Sequence, residues 1–432
     1  MAQFRTDKHH YLTNNDTIYE VVMLADQYGN RVGPANPSGT AVDAFGRARV
    51  STPLTLFDSS HRFKDNGLWA TKLTGTASST FNANQATIDL TIGTAANDEV
   101  IRETTKVFSY QPGKSLFILN TVVFAPPQTN LRQRVGYYGA SNGMYLEQDG
   151  TTINFVERSS VSGSLQETRV VQSAWSQDKL DGTGPSQLTL DLTKAQICWM
   201  DIEWLGLGSV RMGFVIDGQL VHAHTFHHAN VITTPYITTA SLPLRYEIKN
   251  TGTTTGATLK QVCSSVISEG GYELRGLQQA MALPVASPRG LTNASQLYPV
   301  ISLRLNSTKL DAIVILTAVS ILGITNNANY RWEVRTGGTT TAGSWTNTDA
   351  DSAIEYNITG TSFSGGRILA SGFMQGSNQG ASSIDILKEA LFKFQFERNS
   401  FTSVATEVTL VVSSSSAGAD VLASLDWEEI SR

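Results

Sequence analysis

From about residue 80 to the C-terminus, apolar and polar side chains alternate with a period of two, in runs rich in Thr, Val, Ile, Phe and Tyr that are broken by Gly, Asn-Gly and Asp-Gly. Successive side chains of a strand point to opposite faces, so the pattern predicts half-buried β-strands joined by tight turns. Amphipathic helical periodicity of useful length is nearly absent. The clearest hairpin is GMYLEQDGTTINFVERS. A turn at Asp149-Gly150 sets Met144 and Leu146 with Phe155 and Ile153 on one apolar face, and leaves Tyr145, Glu147, Thr152 and Asn154 on a wet one.

A second hairpin, SVRMGFVIDGQLVHAHTF, turns at Asp217-Gly218. Counting outward pairs Ile216 with Gln219, Phe214 with Val221, Met212 with Ala223 and Val210 with Thr225 on the core face. Arg211, Gly213 and Val215 then lie across from His224, His222 and Leu220 on the other. In the strand before it, ICWMDIEW, Cys198, Met200, Ile202 and Trp204 face one way and Ile197, Trp199, Asp201 and Glu203 the other. Such strands are buried most simply in a sandwich of two antiparallel sheets with jelly-roll connections.

The alternation lapses around 268–297, where two prolines and several Gly and Ser stand together. The expected organisation is an all-β chain. An extended N-terminal arm spans 1–40, a jelly-roll-like sandwich 41–275, a linker 276–297 and a second β-sandwich domain 298–432. Strands of the last are expected in YPVISLRL, DAIVILTAVSIL, YRWEVRT, LFKFQFER, EVTLVV and SLDWEE.

Composition narrows the class. The chain has 432 residues, 41% of them hydrophobic, enough for a core in each domain. Its 32 Lys and Arg against 37 Asp and Glu are scattered, with no basic stripe to neutralise a phosphate backbone, so nucleic acid is not an expected partner. Charged residues are only 16% of the chain, and its polar surface rests on Ser, Thr, Asn, Gln and Gly. No secretory signal is visible in MAQFRTDKHHYLTNN, and no run approaches the roughly 18 uninterrupted apolar residues of a membrane span. A soluble protein that stays or assembles in the cytosol is expected. Cys198 and Cys263, without CxxC or zinc spacing, read as two buried free thiols.

Candidate chemistry centres on two stretches. Four of the seven histidines, His222, His224, His227 and His228, fall between residues 222 and 228. His222 and His224, two apart, would share one strand face, but Arg211 is the expected neighbour of His224 and repels a cation. No metal and no cofactor are therefore expected. WMDIEWLG resembles the Glu-x-Asp-x-Glu strand of retaining β-glucan hydrolases, with Trp199, Asp201 and Glu203 at the three positions. Trp199 replaces the nucleophile, and retention needs two carboxyls about 5 Å apart, so no catalytic residues are assigned. Trp199, Asp201, Glu203, Arg211, His222 and His224 remain as a candidate face for a glycan or protein contact. GASNG at 139–143 and FSYQPGKS at 108–115 mimic a nucleophile elbow and a phosphate loop but sit between strands, and read as turns. Asp426, Glu428 and Glu429 read as solvated acids.

Taken together, VDAFGRARVSTPLTLFDSSHRFKDN (42–66), FSYQPGKSLFILNTVVF (108–124), NLRQRVGYYGASNGMYLEQDG (130–150), DIEWLGLGSVRMGFVIDGQLVHAHTFHHAN (201–230) and the terminal LDWEE resemble a family of virion structural proteins of marine tailed phages, cyanophages in particular. The middle domain is also similar to concanavalin-A-type sandwiches. The resemblance implies a non-enzymatic component of the phage tail, baseplate, neck or head exterior, assembled in the host cytoplasm and located in the virion. It would be a homo-oligomer, expected to be a trimer, that contacts other virion proteins. A carbohydrate-binding adhesin is the alternative, and a glycan hydrolase a more distant one.

Overall fold

Most alternating runs become strands in the computed structural model, which describes residues 52–271, 276–376 and 394–431 and, in backbone only, 10–14 and 17–21. The chain divides into two units, Met1–Thr52 and Pro53–Arg432. In the first, His10–Asn14 pairs antiparallel with Thr17–Val21. The rest of the arm expected over 1–40 lies outside the described residues.

In the second unit, the chain passes back and forth between two antiparallel sheets to make a jelly-roll sandwich. One sheet has seven strands, in the order Gln166–Val171, Thr152–Ser159, Gly143–Asp149, Leu131–Tyr138, Leu244–Asn250, Glu99–Thr104 and Trp69–Thr74. The other runs Gln219–Phe226, Val210–Ile216, Gln196–Glu203, Ser115–Val123, Ala257–Ser268, Thr87–Ile92 and Ser78–Asn82. Its eighth strand, Leu54–Ser60, pairs with the second half of Ala257–Ser268. Val135, Leu146 and Phe155 from one sheet and Ile118, Met200 and Phe214 from the other are fully buried in one cluster. Each such side chain stabilises the fold by about 1.5–3 kcal/mol through removal from water.

The hairpin at 143–159 closes through Gly150 and Thr151, with Asp149 opposite Thr152. Gly150 has φ of 58°, which suits a residue without a Cβ. Met144, Leu146, Phe155 and Ile153 share the apolar face as expected, but the turn sits one residue later than expected, so Leu146 lies opposite Phe155 and Met144 opposite Glu157. Of the face expected to be wet, Thr152 is exposed, but Tyr145 and Glu147 are fully buried and Asn154 nearly so.

A second sandwich follows. Its smaller sheet arranges Leu277–Ala282 and Arg289–Leu291 on one side of Ala419–Ser431 and Ile313–Gly323 on the other. Its larger sheet has the order Thr346–Asn347, Ile354–Asn357, Tyr298–Leu305, Val408–Ser414, Asn329–Thr341 and Ser362–Gln375. Trp427, Leu425, Tyr330 and Leu410 fill the core between them. Two strands thus lie within 276–297, the segment expected to be a linker. The first is an exposed edge strand with little alternation to reveal it, held by Glu428, which accepts hydrogen bonds from Gly276 N at 2.6 Å and Gln278 Nε2 at 2.6 Å. Glu428 and Glu429 are correspondingly buried, not solvated, and Glu429 accepts from Ser352 Oγ, Ala353 N and Trp427 Nε1.

Phe394–Ala405 ties the two sandwiches together; the described part of the strand expected in LFKFQFER, 394–398, makes only isolated bridges there, because its partners come from both sandwiches. Glu397 pairs with Lys106 at 2.9 Å, Ser400 N donates to Thr105 O at 3.3 Å, and Asp311 joins Arg398 to Thr239. A cavity of about 400 Å³ lies at this junction, walled by Leu54, Leu56, Phe108 and Ile315 with Gln395 and Glu397 at its polar side.

Candidate functional site

The outer face of the eight-stranded sheet carries most of the residues singled out in the sequence. Trp199 lies opposite Gly213. A Cβ on Gly213 would stand 2.9 Å from the indole, so glycine is what lets Trp199 lie flat across the neighbouring strand. There the indole donates to Phe214 O at 3.2 Å, is flanked by Phe117 and His222 with ring centroids at 6.0 and 5.7 Å, and is only 5% exposed. Asp201 lies opposite Arg211 and pairs with it. Glu203 is exposed at the strand end, where its carbonyl accepts the Tyr236 hydroxyl at 2.8 Å.

The second hairpin keeps the expected register from Ile216–Gln219 to Gly213–His222 and then slips. Met212 lies opposite His224 and Arg211 opposite Thr225, with Ala223 as the extra residue of a β-bulge. The cause is a side contact: Ala223 O accepts hydrogen bonds from Gln177 N at 3.0 Å and Asp178 N at 3.1 Å. Arg211 is therefore not the cross-strand neighbour of His224. His224 is buried against Phe226 and accepts from Ser176 N at 3.2 Å through Nδ1, away from the outer face. Burial, with the charges of His222 and His227 added, lowers its pKa to about 4. His222 stays half-buried beside Trp199 and bonds Thr225 Oγ1 at 2.8 Å. His227 is exposed and His228 is buried beyond the strand end.

Thus Trp199, Asp201, Arg211 and His222 come together, Glu203 borders them and His224 does not join. Among the described residues no group of three or more His, Cys, Asp or Glu side chains is placed to hold a metal ion. Of the two free thiols, Cys198 is buried but Cys263 is exposed.

Sequence reasoning missed a second constellation, on the outer face of the seven-stranded sheet. Register sets opposite charges across neighbouring strands: Arg134 against Glu147 and Glu247, Arg158 against Glu167, Arg245 against Glu103. The corresponding contacts are 2.7, 3.3, 2.6 and 3.6 Å. Tyr138 and Tyr145, with ring centroids 4.4 Å apart, lie under the guanidiniums of Arg134, Arg158 and Arg245 at 4.9 to 5.2 Å. This layer buries Tyr145 and Glu147. Burial opposes ionisation of Glu167, but hydrogen bonds from Tyr145 and Arg158 prevail and hold its pKa at about 2. Each carboxylate has an arginine partner, and the layer fixes sheet register; at Glu103, where the arginine stands 3.6 Å away, burial prevails and raises the pKa. The alternating charges of LRQR, QETR and LRYE are the signal in the sequence, legible once strands are paired.

No protein-family model and no curated protein matches the sequence. Solved structures similar to about half of the chain include a Bacteroides ovatus mixed-linkage glucan GH16 protein, 10% identical over 49% of this chain and 99% of that one, with a TM-score of 0.35. Another is the CBM2 module of the evolved Dit of Lactobacillus casei BL23 phage J-1, 6% identical over 52% and 100%, TM-score 0.34. Arcelin-5, a lectin-like defence protein of Phaseolus vulgaris, is 9% identical over 51% and 100%, TM-score 0.31. Similarity at this level assigns no activity to the chain.

Proposed function

We propose that the protein is a non-enzymatic structural subunit of a tailed-phage virion, an exterior component of tail, baseplate, neck or head that assembles with copies of itself and with other virion proteins. The observation that carries this reading is the outer face of the eight-stranded sheet. Asp201 is paired with Arg211 and Glu203 is exposed at the strand end, which favours a contact face over an acid–base pair. Beside them Leu220 is 58% and Ile197 36% exposed, and Phe117, Leu119 and Val215 are half-buried. A sheet surface of this kind, with exposed apolar side chains at its hairpin end and charges toward the other, suits a protein contact. The sequence resemblance to phage virion proteins supports the location.

Purified particles of the phage that carries the gene should contain the chain in a fixed copy ratio to other virion proteins, and a chain lacking residues 1–40 should no longer attach. Its absence from purified particles would overturn the reading. The grouping of Trp199, Asp201, Arg211 and His222 favours a carbohydrate-binding adhesin as the second reading. Glycan-array binding abolished by Arg211→Ala would establish it. Cleavage of a host-surface polysaccharide, lost in Glu203→Gln, would instead make the protein a hydrolase.

A further inference from the structure

The last strand of the six-stranded sheet, Ser362–Gln375, is hydrogen-bonded on one side to Asn329–Thr341 and has no second strand partner among the described residues. It runs for 14 residues, and most of its first half is exposed. A bare edge of that length is a template for another strand, and proteins blunt such edges with charge, proline or bulges. The first half is blunted: Gly365 and Gly366 have φ of 72° and 78°, and Arg367 follows. The second half, ILASGFMQ from Ile368 to Gln375, contains no charge and no proline, and beyond its one bulge, at Leu369, Ala370–Gln375 is regular.

Its side chains are phased by a bulge. Arg335 lies opposite Ile368 and Val334 opposite Ala370, so Leu369 is the extra residue. Leu369, Ala370 and Met374 pack on the core. Ile368, Ser371 and Phe373 share the outer face with Arg335, Glu333 and Arg331. Ile368 is 43% and Phe373 82% exposed.

We infer that Ile368–Gln375 is a homotypic contact, pairing antiparallel with the same strand of a second copy about a twofold axis. The inference rests on the assembly reading above and names one of its contacts. Charge selects the occupant: an acidic or basic partner strand would find no complementary charge along these eight residues, whereas a second copy meets no like charge. Face matching selects the register, because a shift of one residue would set outward side chains against inward ones. A twofold at Gly372 puts Phe373 opposite Ser371 of the copy and Met374 opposite Ala370 of the copy. A twofold at Phe373 puts Phe373 opposite itself. Either brings the two Phe373 rings together as direct or diagonal cross-strand neighbours, within aromatic reach. The contact is isologous, so it builds dimers, and it enters a threefold assembly only through a symmetry that combines twofold and threefold axes, such as dihedral.

The test is light scattering on the full chain, with cysteine cross-linking in a Cys263→Ser background. The wild type should show a mass of at least twice the 46.7 kDa chain. Phe373→Lys should halve that mass without altering the circular dichroism, since Phe373 contributes little to the core. Upon oxidation, Phe373→Cys should form a covalent dimer if the axis passes through Phe373. The double variant Ser371→Cys, Phe373→Cys should do so if it passes through Gly372. An oligomer that is indifferent to Phe373→Lys and forms neither cross-link overturns the edge contact while leaving assembly through another surface intact. A wild-type monomer at every concentration overturns both.

Discussion

Removing the His228 imidazole tests how the first sandwich holds its outer loops. His228 is 4% exposed and stacks on Tyr236 with centroids 3.9 Å apart and planes 8° from parallel. Its Nδ1 lies 2.6 Å from Gly208 O and its Nε2 2.6 Å from Glu157 Oε2. Both neighbours are acceptors, and a neutral imidazole donates from only one nitrogen, so the site fits the imidazolium. Burial works against that charge, but the bonds to Glu157 and Gly208 prevail and raise the pKa above the ordinary 6.5. Two charge-assisted hydrogen bonds are worth about 1.5–3 kcal/mol each. Loss of one partner of a buried pair costs about 3–5 kcal/mol. The Glu157 side chain, 13% exposed, keeps some access to water. The lower end of that range applies: His228→Gln should cost about 3 kcal/mol at pH 6. Because the folded pKa is raised, the stabilisation is fully present below pH 6.5 and is lost as pH rises through the folded value. Urea unfolding followed by tryptophan fluorescence at pH 6 and pH 9 should show a wild-type advantage that shrinks at the higher pH. A difference within about 0.5 kcal/mol, the range of an ordinary surface substitution, or one equal at both pH values, would refute the reasoning.

Three further outcomes follow from the same geometry. His61 and His224 are each pushed down to about 4, mainly by burial, so the unfolded chain binds more protons and stability should fall as pH drops from 6.5 toward 4. The slope should flatten in the double variant His61→Leu, His224→Asn, as followed by melting temperature against pH. Gly213→Ala would push a Cβ against Val221 O and the Trp199 ring, and should cost about 1–3 kcal/mol as overpacking, with a changed tryptophan emission spectrum. Arg134→Met removes the guanidinium shared by Glu147 and Glu247 and should destabilise by about 3–5 kcal/mol in denaturant titrations, although methionine fills much of the same space.

Strand identity and inward faces were legible because alternation records burial directly. Cys198, Met200 and Ile202 point into the core and Asp201 and Glu203 outward, as their spacing predicts. What escaped the sequence depends on contacts between distant segments. The bulge at Ala223 is set by Gln177 and Asp178, some 45 residues upstream, and it alone removes His224 from the candidate face. Trp199 looks like a platform for a sugar ring until Gly213 lets it lie flat and become covered. Tyr145 and Glu147 look solvated because a polar residue in a hairpin carries no sign of the arginines that register will set against it. The strand at Leu277–Ala282 hides for the opposite reason. At a sheet edge it buries too little to leave a pattern.

The assembly reading is tested most directly by the solution mass of the purified protein from light scattering, with and without residues 1–40. The account predicts a stable oligomer in both forms, with the truncated one unable to attach to particles. A monomer in both forms would contradict it and return attention to Trp199, Asp201 and Arg211 with a panel of glycans.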